Sequence, residues 1–209
     1  MSSTPLRLAV RPTMRAMPLA TIVGGAACGA VPLVVARAFW TDASALFVLF
    51  AVALIAAAAG FAFDDSAAVT LESSPTTIGR RRGLRIAITA SVLATAWGCD
   101  LFALRRGDVD SALVFNRFTL ALCALAASAV AIAAAVNRHE VDQQGGAVGA
   151  TSAALMVAAA EFFSARWPTQ FPSVINDGAP NQRWWWLLAA AIAVIAWCNR
   201  DPGRPRRLG

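Results

Sequence analysis

Four charged or amide side chains stand inside or close to long apolar stretches of the chain: Asp100, Asn116, Arg117 and Glu161. A charge inside a membrane is costly unless it is paired or hydrated, so such groups usually face other helices or water. Arg117 is placed to pair with Asp100, and Glu161 with Arg117 or with Arg166. Two interpretations stay open: ion pairs between helices, or the polar lining of a translocation route.

The second polar feature is the segment 64–85, which lies between two apolar stretches and reads DDSAAVTLESSPTTIGRRRGLR. Asp65 or Ser66 can cap a short helix over 67–72, and acids favour the positive end of a helix dipole. Pro75 ends that helix, because the residue before a proline avoids the helical region. The pattern favours either a rigid docking element for a partner or an ordinary loop. The candidate docking residues are Asp64, Asp65, Ser66, Thr70, Glu72 and Pro75.

The second half of this segment carries a cluster of arginines: Arg80, Arg81, Arg82 and Arg85. Arginine clusters beside membrane spans stay on the cytoplasmic side and set the orientation of the chain. We therefore interpret the four arginines as a cytoplasmic anchor on lipid headgroups.

Other chemistry is sparse in the sequence. The four cysteines lie in or at the ends of apolar segments without metal-ligand spacing, and His139 is the single histidine, so no metal site is predicted. No phosphate-binding glycine motif or catalytic constellation occurs, so the chain is not expected to be an enzyme. The arginines lie at the ends of spans and not along one aromatic-studded face, which argues against nucleic-acid binding.

The composition is that of a membrane protein. Hydrophobic residues make up 58% of the chain and charged residues 14%, against about 25% charged residues in a soluble domain. About 20 apolar residues in a helix cross the hydrocarbon core. We predict an all-α, polytopic membrane protein with six transmembrane helices over 17–38, 43–63, 84–104, 112–136, 147–163 and 184–199.

Arginine counting orients these spans. With the N-terminus in the cytoplasm, twelve of the 18 basic residues, all arginine, fall on the inside and six on the outside. The inside set is Arg7, Arg11, Arg15, Arg80, Arg81, Arg82, Arg85, Arg138, Arg200, Arg204, Arg206 and Arg207. This bias predicts that both termini are cytoplasmic. Trp184, Trp185 and Trp186 then mark the outer boundary of the sixth span, where indole rings prefer the headgroup layer.

The remaining segments complete a single transmembrane domain. Residues 1–16 form a predicted amphipathic helix in the inner interface, because three arginines recur on one helical face. The cytoplasmic loop covers 64–83, the extracellular loop 164–183 and a basic cytoplasmic tail 200–209. Gly25 with Gly29, and Gly145 with Gly149, form close-packing motifs within the subunit or at a subunit interface. Pro32 is expected to kink the first span.

FDDSAAVTLESSPTTIGRRRGLR after the second span and RDPGR after the sixth resemble the membrane subunits of bacterial ABC transporters. The chain is similar to ABC-2 type (type V exporter-like) permeases, in particular a divergent actinobacterial group. Those subunits have an interfacial helix, six spans, a coupling helix between helices 2 and 3 and an extracellular element between helices 5 and 6. The chain offers a candidate for each in the same order, but the insert between its first two spans is almost absent.

The resemblance implies a permease subunit of an ATP-driven transporter, an exporter, in the bacterial plasma membrane. Two such subunits, identical or paired with a second permease chain, would enclose the pathway among membrane lipids. Each would dock through 64–75 on a separate ATPase, which holds the ATP and magnesium, while this chain binds no cofactor. The alternative is a non-transport membrane accessory or assembly protein.

Overall fold

The protein is described by a computed structural model over residues 17–39, 44–64, 78–105, 111–139, 145–167 and 182–199. Every secondary-structure element within these ranges is a helix. The helices are α1 (Leu19–Cys28), α2 (Ala30–Phe39), α3 (Ser44–Gly60), α4 (Ile78–Arg105), α5 (Ser111–His139), α6 (Gly145–Arg166) and α7 (Gln182–Cys198). A 3-10 turn, Phe61–Phe63, extends α3. The all-α prediction is confirmed for this part of the chain.

Four helical segments of the described chain are long and apolar enough to cross a membrane: Ala45–Phe63, Arg81–Leu104, Phe118–Arg138 and Gly145–Arg166. They correspond to the second to fifth predicted spans. The first and sixth predicted spans correspond to shorter apolar helices, Leu19–Val35 and Gln182–Cys198. The structure therefore supports a membrane protein with four candidate spans, and the count of six stays a prediction.

The first predicted span is interrupted and not continuous. α1 ends at Cys28, Gly29 forms a turn, and α2 begins at Ala30. Pro32 explains the break, because proline has no N–H to donate to the carbonyl four residues earlier and its ring crowds that carbonyl. The helix assignment breaks at Gly29, one turn before Pro32, and the kink itself stays a prediction.

α3 and α5 form the centre of the bundle. Their apolar windows are 61% buried, whereas those of α4 and α6 are 22% buried. α3 packs against α1, α2, α5 and α6, and α5 also packs against α6 and α7. Fully buried alanines such as Ala51, Ala59, Ala121 and Ala129 line these contacts. Small side chains let the helix backbones approach closely, which strengthens van der Waals packing in a lipid environment.

Both glycine pairs pack inside the bundle. A Cβ atom at Gly25 would lie 3.0 Å from the Cβ of Ala58, and one at Gly29 would lie 2.6 Å from Ile55, so both face α3. A Cβ atom at Gly149 would lie 2.5 Å from the carbonyl oxygen of Ala129 on α5. These contacts place the motifs within the subunit, as the first of the two interpretations predicted.

Candidate functional site

Helix α4 contains the four arginines of the predicted anchor, three of which the sequence placed in the loop 64–83. It begins at Ile78, six residues before the predicted span, so the arginine cluster occupies its first two turns. The correction has a simple cause: arginine is a good helix former, and its long side chain can extend away from a helix that leaves the apolar layer. Residues 78–83 of the predicted cytoplasmic loop 64–83 therefore belong to α4.

One end of the bundle gathers the C-terminal ends of α3, α5 and α7 with the N-terminal ends of α4 and α6; we call it the arginine-rich end. The Asp64 carboxylate accepts a hydrogen bond of 2.7 Å from the Gly146 amide in the first turn of α6. The Asn137 side chain donates to the carbonyl oxygen of Phe63 at 3.3 Å. Asp64 and Asn137 thus fasten the end of α3 to α6 and to α5.

The Asp64 carboxyl acts as a helix cap supplied from a distant part of the chain. The residue that precedes α6 is Gln144, which is not among the preferred capping residues. Burial raises the pKa of the Asp64 carboxyl above its ordinary value, and the hydrogen bond from Gly146 lowers the pKa by a smaller amount. Asp64 was predicted as a docking residue. In the structure its carboxylate is hydrogen-bonded to the Gly146 amide within the bundle.

Two arginines cap the end of α7. Arg82 donates to the carbonyl oxygen of Cys198 at 2.9 Å, and Arg138 donates to that of Trp197 at 3.0 Å. The Arg138 guanidinium also lies over the Trp197 ring, 4.4 Å from its centroid. Positive groups at a helix C-terminus satisfy its free carbonyls and interact favourably with its dipole. These bonds tie α4 and α5 to α7.

The arginines of the predicted headgroup anchor also lie against the bundle itself. Arg82 is half-buried, and Arg85 is only 4% exposed, so both side chains face the bundle. Arg81 is half-buried as well. The side chain of Arg80 lies outside the described residues, as do the docking candidates Asp65, Ser66, Thr70, Glu72 and Pro75.

The other end of the bundle carries the intramembrane acids, but in two separate places. Asp100 lies near the end of α4, which packs against α1 and α3. Glu161 is half-buried near the end of α6, which packs against α3 and α5. The side chains of Asn116 and Arg117 lie outside the described residues, so the predicted pairs of Arg117 with Asp100 or Glu161 stay predictions.

A groove beside α4 is the second candidate site; we call it the lateral cleft. It has a volume of about 470 Å³ and lies between α4 and the junction of α1 with α2. It is lined by Val23, Ala26, Ala27, Ala30, Ser91, Val92, Thr95, Ala96, Cys99 and Asp100. Alanines on both walls leave this space, because neither helix fills it with a large side chain. Many of the lining side chains, Val23 and Thr95 among them, are exposed, so the cleft opens on the flank of the bundle.

Asp100 is the charged group of the lateral cleft. Its side chain is 7% exposed, and its Oδ2 atom has no hydrogen-bond partner among the described residues. Close to it, the Trp97 indole N–H donates to the Thr119 hydroxyl at 2.9 Å and joins α4 to α5. This bond holds the end of α4 in place beside the acid.

Sequence reasoning missed several of these residues. Asn137 and Arg138 follow the apolar run of α5 directly, and a Gly-Gly pair opens α6, which together signal a close helix hairpin. Ser91 and Thr95 are about one helical turn apart on the exposed side of α4, about half a turn round the helix from Asp100. That polar stripe was visible in the sequence, but its partner wall on α1 was not.

Comparison of the chain with protein-family models, with curated proteins and with solved structures gave no match.

Proposed function

We propose that the chain is the permease subunit of an ATP-driven ABC exporter, which forms half of a translocation pathway and docks on a separate ATPase through residues 64–75. The observation that supports it is the fastening of this segment at both sides. At its first residue, Asp64 binds Gly146 on α6, and beyond its last residue, Arg82 binds the end of α7.

Such fastening is what mechanical coupling requires. A docking element transmits movement only if its ends are attached to the helices that must move. Displacement of the segment would shift the 3-10 turn, which is bonded to Asn137 on α5, and the start of α4. Five helices, α3 to α7, would then respond together, with no bond chemistry in this chain.

The proposed orientation of the chain in the membrane rests on the arginines at the same end of the molecule. Arg81, Arg82, Arg85 and Arg138 all lie at the arginine-rich end, which by the positive-inside rule faces the cytoplasm. The ATPase, with its ATP and magnesium, would bind there. A second permease chain, identical or different, would complete the pathway, and the exposed flanks of α4 and α6 are available to contact it.

The test is purification of the tagged full chain from its native membranes, followed by mass spectrometry and ATPase assay. A protein with a P-loop should copurify and hydrolyse ATP. Replacement of residues 65–72 with a Gly/Ser linker should abolish copurification of this ATPase. Replacement of residues 169–176 with the same linker is the control and should leave the ATPase bound.

Two results would contradict the proposal. The wild-type chain could copurify with no ATPase, which would favour the membrane accessory or assembly protein. Alternatively, the 65–72 linker variant could retain the complex and its ATP hydrolysis, in which case that segment is not the docking element.

A further inference from the structure

Asp100 belongs to a row of otherwise apolar residues on the buried face of α4. Leu93, Trp97, Asp100 and Leu104 follow one another at intervals of three or four residues, so they share one face of the helix. Each of these side chains is at most 7% exposed. The carboxyl of Asp100 therefore lies on the side of α4 that packs against the bundle.

The described bundle supplies no hydrogen-bond donor to the buried oxygen of this carboxyl. The Oδ2 atom of Asp100 has no hydrogen-bond partner among the described residues. On the same face of α4, the Trp97 indole N–H donates instead to the Thr119 hydroxyl, at 2.9 Å. An ionised carboxylate can only accept hydrogen bonds. Its charged form is therefore left without stabilisation at Oδ2.

No described cation balances a charge on Asp100. α4 packs against α1, α2, α3, α5 and the 3-10 turn. α1, α3 and the turn contain no charged residue, and the described arginines of α4 and α5 lie at the arginine-rich end. Away from that end, the titratable side chains described on α1, α4 and α5 are the thiols of Cys28, Cys99 and Cys123. The side chains that lie outside the described residues are those of Arg37, Arg105 and Arg117.

Such surroundings favour the neutral acid, because a buried charge without a partner costs more free energy than a buried neutral group. We propose that Asp100 is a proton-binding site within the membrane. Its carboxyl is protonated while the end of α4 packs against the bundle, and it releases the proton to water only when this end separates. The proposal goes beyond the proposed function and is tested without any ATPase, so that the two fail separately.

Release of the proton acts on the position of α4. The carboxylate that remains needs hydrogen-bond donors, and water supplies them to a residue near the end of an apolar span. The apolar window of α4 is 22% buried, whereas those of α3 and α5 are 61% buried. Movement of the end of α4 toward water therefore disrupts less packing than a rearrangement of α3 or α5.

Infrared spectroscopy of the full chain measures the protonation state directly. The protein is held in dodecyl maltoside, which has no carbonyl group, at pH 5.5, where a solvent-exposed aspartic acid with its ordinary pKa of about 3.9 is ionised. The wild-type spectrum minus that of Asp100→Asn should contain the C=O stretching band of a protonated carboxylic acid, shifted to lower frequency in D2O. Glu161→Gln and Asp64→Asn are matched controls that should keep this band. A difference spectrum with only the bands of an ionised carboxylate would overturn the proposal.

Two further variants separate a bound proton from an ion pair. Arg117 was predicted to pair with Asp100, and Arg117→Gln should leave the carboxylic acid band unchanged if Asp100 holds a proton. A band that is absent from the wild type and appears in Arg117→Gln would show that Arg117 keeps Asp100 ionised, and would overturn the proposal. Asp100→Glu retains a carboxyl and should keep a band at a shifted frequency, so the test remains valid if Asp100→Asn does not fold.

Movement of α4 is measured at Cys99, the exposed neighbour of Asp100. In a background with Ala at the other three cysteines, a nitroxide on Cys99 reports collisions with a water-soluble nickel complex and with oxygen, which concentrates in lipid. As the pH rises from 5.5 to 8.5 in lipid nanodiscs, access of the nickel complex should increase with Asp100 present and stay constant in Asp100→Asn. An equal pH dependence with and without the acid would overturn the proposal, because the proton would then have no effect on α4.

Discussion

At the scale of single residues, the two informative acids have opposite surroundings. Asp64 accepts a hydrogen bond from the Gly146 amide, at the positive end of α6. Asp100 is buried, and its Oδ2 atom has no partner among the described side chains and backbone. A hydrogen-bond acceptor at a helix N-terminus contributes to stability, whereas a buried carboxylate oxygen without a hydrogen-bond partner costs stability.

Substitution of Asp64 should separate its hydrogen bond from its charge. Asp64→Ala leaves the Gly146 amide without an acceptor and should cost about 1 kcal/mol, typical of a lost helix cap. Asp64→Asn keeps an acceptor and removes the charge that burial disfavours, so it should be at least as stable as the wild type at pH 7. The measurement is the melting temperature by tryptophan fluorescence in one detergent.

The pH dependence of this comparison has a definite sign. The pKa of the Asp64 carboxyl is raised in the folded protein. The protonated carboxyl therefore contributes to the free energy of unfolding in full below pH 3.8, its ordinary pKa. This contribution is lost as the pH rises through the pKa of the folded protein. The advantage of Asp64→Asn over the wild type should therefore shrink as the pH falls from 7 to 4. An Asn variant as unstable as the Ala variant at every pH would show that the charge itself holds α6.

At the scale of helices, close approach depends on glycine and alanine. Gly60 at the end of α3 lies against the backbone of α6: a Cβ atom there would be 2.7 Å from the amide nitrogen of Ala150. Gly149 makes the corresponding approach from α6 to α5. α4 has fewer such contacts and is held by the Trp97–Thr119 and Arg82–Cys198 bonds, which leaves room for the lateral cleft.

Alanine substitutions should distinguish packed glycines from open ones. Gly60→Ala and Gly149→Ala each place a methyl group against backbone atoms that cannot rotate away, and should cost about 1–3 kcal/mol, as overpacking does. Gly24→Ala and Gly98→Ala are matched controls in α1 and α4, because nothing lies within 4 Å of the added Cβ. The controls should be neutral or slightly stabilising, since alanine favours a helix over glycine.

The readout is again the melting temperature, measured for all four variants in the same detergent. Equal melting temperatures for the packed and the open positions would mean that α3, α5 and α6 do not approach as closely as described.

At the scale of the whole molecule, the polar ends of the bundle differ in kind. One end joins five helix termini through hydrogen bonds and arginines, and the other carries the acids and the exposed rings of Trp167, Trp185 and Trp186. Arginines favour the cytoplasmic side, and indoles favour either headgroup layer. This asymmetry supports the proposed orientation, in which the lateral cleft would lie near the outer leaflet.

Cysteine labelling tests this orientation. In a background with Ala at Cys28, Cys99, Cys123 and Cys198, a membrane-impermeant maleimide should label Ser173→Cys in intact cells. Ser66→Cys should react only after the cells are opened. The reverse pattern would place the arginine-rich end outside and would also remove the site proposed for the ATPase.

The helical class and the position of most helices could be read from composition and the length of apolar runs, because these depend on residues close together in the chain. The break before Pro32 was also predictable, since proline acts on its own turn. Helix ends were less predictable: arginines continue α4 as far back as Ile78 although they are not apolar. The cap on α6 was beyond sequence reasoning, because Asp64 and Gly146 are 82 residues apart.

The lateral cleft was hidden for the same reason. Its acid, Asp100, was recognised from its apolar neighbours, but whether α1 would face it with small residues or with a cation depended on how the helices pack.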